Sequence, residues 1–403
     1  MKVQVSSSIA LLCSVINASV LKRADNATVQ GFSRAGLLAM NADIHKWVDD
    51  KNGPNVVTLV ARNGEIINHD AYGVLDVSAS NKMAVKKDTI FRIMSMTKPV
   101  VGIGMMMMYE AGKWKLDDLV SKHIPEFANL QVKDANNNTV PQKTPMTMAQ
   151  LVSHSAGFGA MLTVMVPTLG EIIPPLVEGQ LAFQPGRDWR YGPGVEIQGY
   201  LIEKWAGKDL SDFFKERIFD PLGLVDTGFF IDPSKVSRVS QLHNITNGVL
   251  QTQEWKAGPA TSKPKRLSPS GGLYSTAEEY WKISQMVLDG GVFKGTRYLK
   301  EDSVKMMHTN YLQPDVGVRL ANSTGVGIGF GVDYAIILDP IASKNNQPKD
   351  AYYWGGAYGT FFWNDPVNKV VCVGMIQMAR PEESGPTALR QIAAKALYAA
   401  QQK

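Results

Sequence analysis

The chain has 403 residues, 44% of them hydrophobic and 20% charged, which is enough for a large core of ordinary globular composition. Net charge is +5, and no Lys/Arg block is dense enough to suggest a nucleic-acid partner. Beyond the N-terminus no segment reaches the ~18 uninterrupted apolar residues of a membrane span, so none is expected.

Residues 1–23 read as a secretory signal with a short pro-segment. Lys2 gives the charged start, Ile9 to Ile16 the apolar core, and Ala18 or Ser19 a small cleavage site. Lys22-Arg23 is a pair of the kind cut by pro-protein processing enzymes. Sequons begin at Asn26, Asn137, Asn244 and Asn322. The expectation is a secreted glycoprotein, with the cytoplasm as the alternative. Loss of this segment removes Cys13 and leaves Cys372 alone, which excludes an intrachain disulfide. In the apolar run Val370-Val371-Cys372-Val373 it reads as a small core residue.

In chain order, residues 34–50 form a helical stripe through Leu37, Leu38, Met40, Ile44, Trp47 and Val48. The β-branched run Val56–Val60 and the segment Glu65–Tyr72 flank Asn63-Gly64, a strong hairpin signal. A short strand from Thr89 leads into Ser95. From Thr97 to Ala111 the pattern is helical, with Pro99 in the first turn and Gly112 as the stop. Its Met105–Met108 run reads as a packed face. Further helices are expected at 147–154, 192–206, 209–218 and 276–289, with a long loop from Gly248 to Ser270. Strand character returns at Gly327–Val332, Tyr352–Trp363 and Val370–Gln377, before a last helix from about Thr387 to Ala400. Strands at both ends with helices between suggest one sheet built from the two termini.

The chemistry centres on Ser95 and Lys98. Residues i and i+3 share a helix face with Cβ atoms roughly 5–6 Å apart. A serine hydroxyl needs a partner to take its proton, and a nearby amine can supply one. The helix N-terminus favours the developing alkoxide. The S-x-x-K pattern occurs three times, at Ser19–Lys22, Ser95–Lys98 and Ser262–Lys265. The first falls in the signal, and the third has Pro264 inside a loop. Only Ser95 stands where a strand gives way to a helix.

The stretch Phe91-Arg92-Ile93-Met94-Ser95-Met96-Thr97-Lys98-Pro99 resembles the active-site segment of the class C β-lactamase-like serine hydrolases. That superfamily takes in penicillin-binding peptidases, class C β-lactamases, family VIII carboxylesterases and fungal statin-type acyltransferases. Leu151–Gly157, Phe183–Gly186, Pro221–Leu224 with Asp226-Thr227, Gly271–Ala277 and Trp354–Ala357 match in family order, so the likeness covers roughly residues 35 to 400.

The resemblance implies that Tyr191, in Trp189-Arg190-Tyr191-Gly192-Pro193, acts with Lys98 as general base. Pro193 stands where the family usually has Asn, which removes an amide that would bind substrate. Trp354-Gly355-Gly356 stands where β-lactamases carry Lys-Thr-Gly, so the groups that hold a drug carboxylate are absent. As in the esterases and acyltransferases, Trp354, Gly355 and Gly356 would form an apolar wall. The Ala357 N–H would join that of Ser95 as the oxyanion hole. His154, between Ser153 and Ser155, belongs to a segment that the resemblance makes structural.

The fold expected is therefore α/β (α+β): an antiparallel sheet flanked by helices, with a helical lobe, β-lactamase/transpeptidase-like. Residues 24–403 would form a single domain. Its sheet lobe would span about 24–95 and 325–403, and its helical lobe about 96–324. The activity expected is hydrolysis of a small-molecule ester or acyl-thioester through a Ser95 acyl-enzyme, by a monomer. Rival readings are an acyltransferase, a β-lactamase or D-amino-acid peptidase, and an inactive binding protein. No G-x-S-x-G elbow, phosphate loop or dinucleotide fingerprint occurs. His45, His69, His123, His154, His243 and His308 form no metal-type pair, so neither a metal nor a cofactor is expected.

Overall fold

The computed structural model describes residues 28–159, 166–253, 258–319, 325–379 and 386–402. The signal and pro-segment, and the sequons at Asn26 and Asn322, lie outside them. Strand β1 (Asn55–Arg62) and strand β2 (Glu65–Gly73) form the expected hairpin. Asn63 and Gly64 take φ of 53° and 78°, the two successive left-handed residues that a type I′ turn needs.

The C-terminal part adds β3 (Ile328–Phe330), β4 (Ala335–Ile337), β5 (Tyr352–Gly355), β6 (Phe361–Asp365) and β7 (Val370–Met375). Together they make a seven-stranded antiparallel sheet in the order β3-β4-β5-β6-β7-β1-β2. The two ends of the chain meet where β7 pairs with β1, Val373 opposite Leu59. Cys372 is fully buried there. The apolar tract Tyr352–Trp363 is two strands, β5 and β6, joined through a turn in which Gly359 takes φ 98°.

Six helices frame the sheet and the site: α1 (Arg34–Asp49), α2 (Thr97–Glu110), α3 (Met148–Val152), α4 (Gly194–Ala206), α5 (Ala277–Leu288) and α6 (Pro386–Ala400). Alternation along β6 shows how they layer. Phe362 lies 5.0 Å from the Tyr280 ring, and Asn364 donates to the Ser284 carbonyl at 3.2 Å, both on α5. Trp363 faces the other way and donates to the Tyr398 hydroxyl of α6 at 3.1 Å. The sheet is thus covered by α5 on one face and by α1 and α6 on the other. Helix α1 begins at a Ser33 cap whose Oγ accepts the Gly36 N–H at 3.3 Å.

Helix α2 differs from these amphipathic covers. Every residue from Thr97 to Met108 is buried, the pattern of a helix enclosed on all sides. Its glycines admit neighbours: a Cβ on Gly104 would stand 2.8 Å from the Phe214 ring, and one on Gly102 3.1 Å from the Val332 carbonyl.

Two of the departures from expectation show how local signals mislead. The tract expected as loop from Gly248 opens with the strand Val249–Thr252, which pairs with His243–Thr246 around Asn247-Gly248. That turn repeats the chemistry of Asn63-Gly64, with φ of 53° and 76°. Strand β4 was not expected, because its three apolar residues sit in a short run between Asp333 and Asp339. Among the described residues no helix is long and apolar enough to cross a membrane.

Candidate active site

The two-residue strand Phe91–Arg92 pairs with Tyr274–Ser275 and delivers the chain into a single 3-10 turn, Met94–Met96, that runs on into α2. Ser95 sits in that turn, where the first N–H groups of a helix have no partner behind them. The turn is sharp: Met94 takes φ 47°, a left-handed conformation that costs a side-chain-bearing residue on the order of 1–2 kcal/mol. Neighbouring bonds hold it. The Ile93 N–H donates to the Leu273 carbonyl at 3.0 Å, the Tyr280 hydroxyl to the Met96 carbonyl at 2.9 Å, and Thr360 Oγ1 to the Ile93 carbonyl at 3.1 Å.

Lys98 is buried with its amine directed at Ser95. Its Nζ lies 3.2 Å from Ser95 Oγ and 2.6 Å from the Ser270 carbonyl, to which it donates. Ser270 is fixed in turn, since its hydroxyl donates to buried Glu196 on α4, whose other oxygen pairs with Arg266 at 2.6 Å. Ser270 and Glu196 were not singled out from sequence. Ser270 adjoins the matched stretch Gly271–Ala277, but a backbone carbonyl leaves no residue-type signature.

Tyr191 stands on the loop before α4, and the Lys98 amine lies over its ring, 4.6 Å from the centroid. The phenol hydroxyl is buried, with no hydrogen-bond partner among the described residues. The contact seen is thus between the Lys98 nitrogen and the ring face. The ring is held by Trp354 at 5.4 Å and His154 at 5.0 Å. Trp189 and Phe330 close the same aromatic cluster.

The end of β5 forms the opposite wall. Gly356 must be glycine, because a Cβ there would stand 2.5 Å from the Ile93 carbonyl and collide with Thr360 Oγ1. Only a bare backbone lets this strand end approach the turn that carries Ser95. Ala357 follows, exposed, and its N–H has no protein acceptor among the described residues. Lys98 thus joins Ser95 to the Tyr191 ring, Trp354 packs on that ring, and Gly356, between Gly355 and Ala357, meets the residue that leads into the Ser95 turn. Among the described residues no group of His, Cys, Asp and Glu could hold a metal ion.

A serine with a buried lysine behind it, set between an antiparallel sheet and an all-buried helix, defines a class, and the chain belongs to it: it is a serine hydrolase of the beta-lactamase family, whose profile matches residues 39–397. Esterase EstB of Burkholderia gladioli is 26% identical over 361 residues, covering 82% of this chain and 87% of that protein. Lovastatin esterase of Penicillium rubens is 26% identical over 368 residues, covering 81% and 89%. The solved structure of EstCE1, a hydrolase with promiscuous acyltransferase activity, has the same fold. It superposes with a TM-score of 0.74 over 90% of this chain and 99% of that one, at 23% identity.

Proposed function

We propose that this serine hydrolase cleaves small-molecule carboxylic esters through an acyl-enzyme on Ser95. The observation that carries the reading is the contact of Lys98 Nζ with Ser95 Oγ at 3.2 Å, facing a wall that offers Trp354 and glycines where a drug-binding cation and hydroxyl would stand. Ser95 Oγ attacks the ester carbonyl while its proton passes to the Lys98 amine, which lies over the Tyr191 ring. The carbonyl electron pair moves onto oxygen, against the N–H groups of Ser95 and Ala357. Collapse expels the alcohol, which takes up the proton from Lys98. Water then repeats the sequence on the acyl-enzyme and releases the acid. An oxyanion donor of this kind contributes about 2.7–4 kcal/mol to the transition state.

The esterases EstB and lovastatin esterase support this choice, and EstCE1 shows that a protein of the same fold can also transfer acyl groups. The test is one panel: p-nitrophenyl esters, nitrocefin, and an ester with an added alcohol acceptor, each with wild type and Ser95→Ala. Ester turnover that Ser95→Ala loses by at least about 10³-fold is the expected result. Nitrocefin turnover exceeding ester turnover would overturn the substrate class. An acceptor that captures the acyl group faster than water would make the enzyme a transferase.

A further inference from the structure

Behind Tyr191 lies a buried polar couple that the acylation steps do not use. His154, just past α3, is 4% exposed and takes φ 58°. It grips Tyr191 from both sides in sequence. Its carbonyl accepts the Arg190 N–H at 3.1 Å, and its Nδ1 accepts the Gly192 N–H at 3.4 Å. Its ring also packs on the Tyr191 ring. An N–H can only donate, so Nδ1 is the bare nitrogen and the neutral ring carries its proton on Nε2. That nitrogen has no hydrogen-bond partner among the described residues and faces Asp333 Oδ1 at 3.9 Å, an electrostatic contact at this length.

Asp333 is completely buried at φ 60°. Its N–H donates to the Val152 carbonyl at the end of α3, and its Oδ1 accepts from Gln198 of α4 at 3.2 Å. Its Oδ2 fills the space beside Gly102, one helical turn past Lys98, where a Cβ would lie 3.3 Å away. Asp333 thus touches α2, α3 and α4 at once, and His154 bridges it to the Tyr191 loop.

We propose that His154 is the positioning residue for Tyr191, and that Asp333 beneath it ties together the ends of the helices on which the imidazole rests. The inference rests on the reading that Tyr191 works with Ser95 and Lys98. Burial pushes the His154 imidazole down to about 3, with Lys98 adding to the shift. Burial pushes the Asp333 carboxyl up to about 8, against Gln198 and Lys98. The groups facing the pair are Lys98 from α2, Gln198 from α4 and Tyr334 next in the chain. At neutral pH the ring is therefore the neutral acceptor that Gly192 needs, since a protonated ring offers no lone pair. Above about 8 a buried carboxylate charge appears beside α2, close to Lys98.

The experiment measures the rate at which a fluorophosphonate labels Ser95 in the full chain, by intact mass, across the pH range, with melting curves alongside. His154→Asn places an amide oxygen near the position of Nδ1, whereas His154→Gln places its polar end near Nε2 and leaves the Gly192 N–H unpaired. The expected result is labelling within about 3-fold of wild type for His154→Asn and a loss on the order of 10²-fold for His154→Gln, at matched folded fractions. Wild-type labelling should fall above about pH 8, and Asp333→Asn should abolish that fall. His154→Gln labelling at the wild-type rate, equal slowing of both His154 variants, or an unchanged pH profile in Asp333→Asn would each overturn the inference. No labelling of wild-type Ser95 would instead overturn the nucleophile reading beneath it.

Discussion

Met94 gives the site its shape. With φ 47° it turns the chain from the strand Phe91–Arg92 into the helical turn that lifts Ser95 toward the cleft. Nothing in a methionine's chemistry announces a left-handed position, so this feature was not legible in the sequence, although the strand-to-helix junction was. Met94→Gly should relieve the strain while loosening the unfolded chain, for a net stability change under about 1 kcal/mol and near-normal ester turnover. Met94→Val adds a β-branch where φ is positive and should destabilise by on the order of 1–3 kcal/mol. Urea denaturation midpoints read both, and a Met94→Val variant as stable as Met94→Gly would contradict the account. Ser95, Lys98 and Tyr191 could be singled out as candidates because each is a reactive residue type in a matched stretch. The groups that hold them were not: Ser270 acts through a carbonyl, and Asp333 reaches His154 only through the fold.

At the scale of elements, the site depends on how closely β5 approaches the turn at Ser95. Gly356 sets that distance against the Ile93 carbonyl and Thr360. Gly356→Ala should push the strand end away by on the order of 1 Å and carry the Ala357 N–H with it. The expected outcome is a fall in kcat on the order of 10²-fold, with a smaller rise in KM and a lowered melting temperature. A kcat within error of wild type would show that the strand end does not set the oxyanion geometry. Elements with strong local signals were readable in advance. The Asn63-Gly64 hairpin, the apolar stripe of α1 and the long apolar run of α2 are examples. The hairpin around Asn247-Gly248 carries the same turn signal, but its four-residue strands offer little hydrophobic alternation to confirm it. Strand β4 has only three residues and is defined by its neighbours β3 and β5, which no local pattern encodes.

For the whole molecule, the sheet joins both ends of the chain and leaves α2 enclosed, so buried polar groups near α2 weigh on global stability. Asp333 holds its proton up to about 8 in the folded protein but releases it near 3.8 when unfolded. Its contribution is complete below about pH 4 and is lost progressively as pH rises to about 8. His154 works in the opposite direction. Unfolded it binds a proton near 6.5 and folded only near 3, so stability falls as pH drops through that interval. Asp333→Asn has no proton to lose. Its stability relative to wild type should therefore rise between about pH 4 and about pH 8, by on the order of a few kcal/mol, while the decline on the acid side persists. Denaturation curves collected over that range check this, and parallel curves for the two proteins would contradict the burial argument.

The claim on which the rest depends is a covalent acyl group on Ser95. Wild-type protein is mixed with a slowly deacylating p-nitrophenyl ester, quenched in acid and digested, and the peptides are weighed. The account predicts a mass increase equal to the acyl group on the peptide containing Ser95, with none in Ser95→Ala. Ester cleavage by wild type with an unmodified Ser95 peptide, or an adduct that persists in Ser95→Ala, would contradict it.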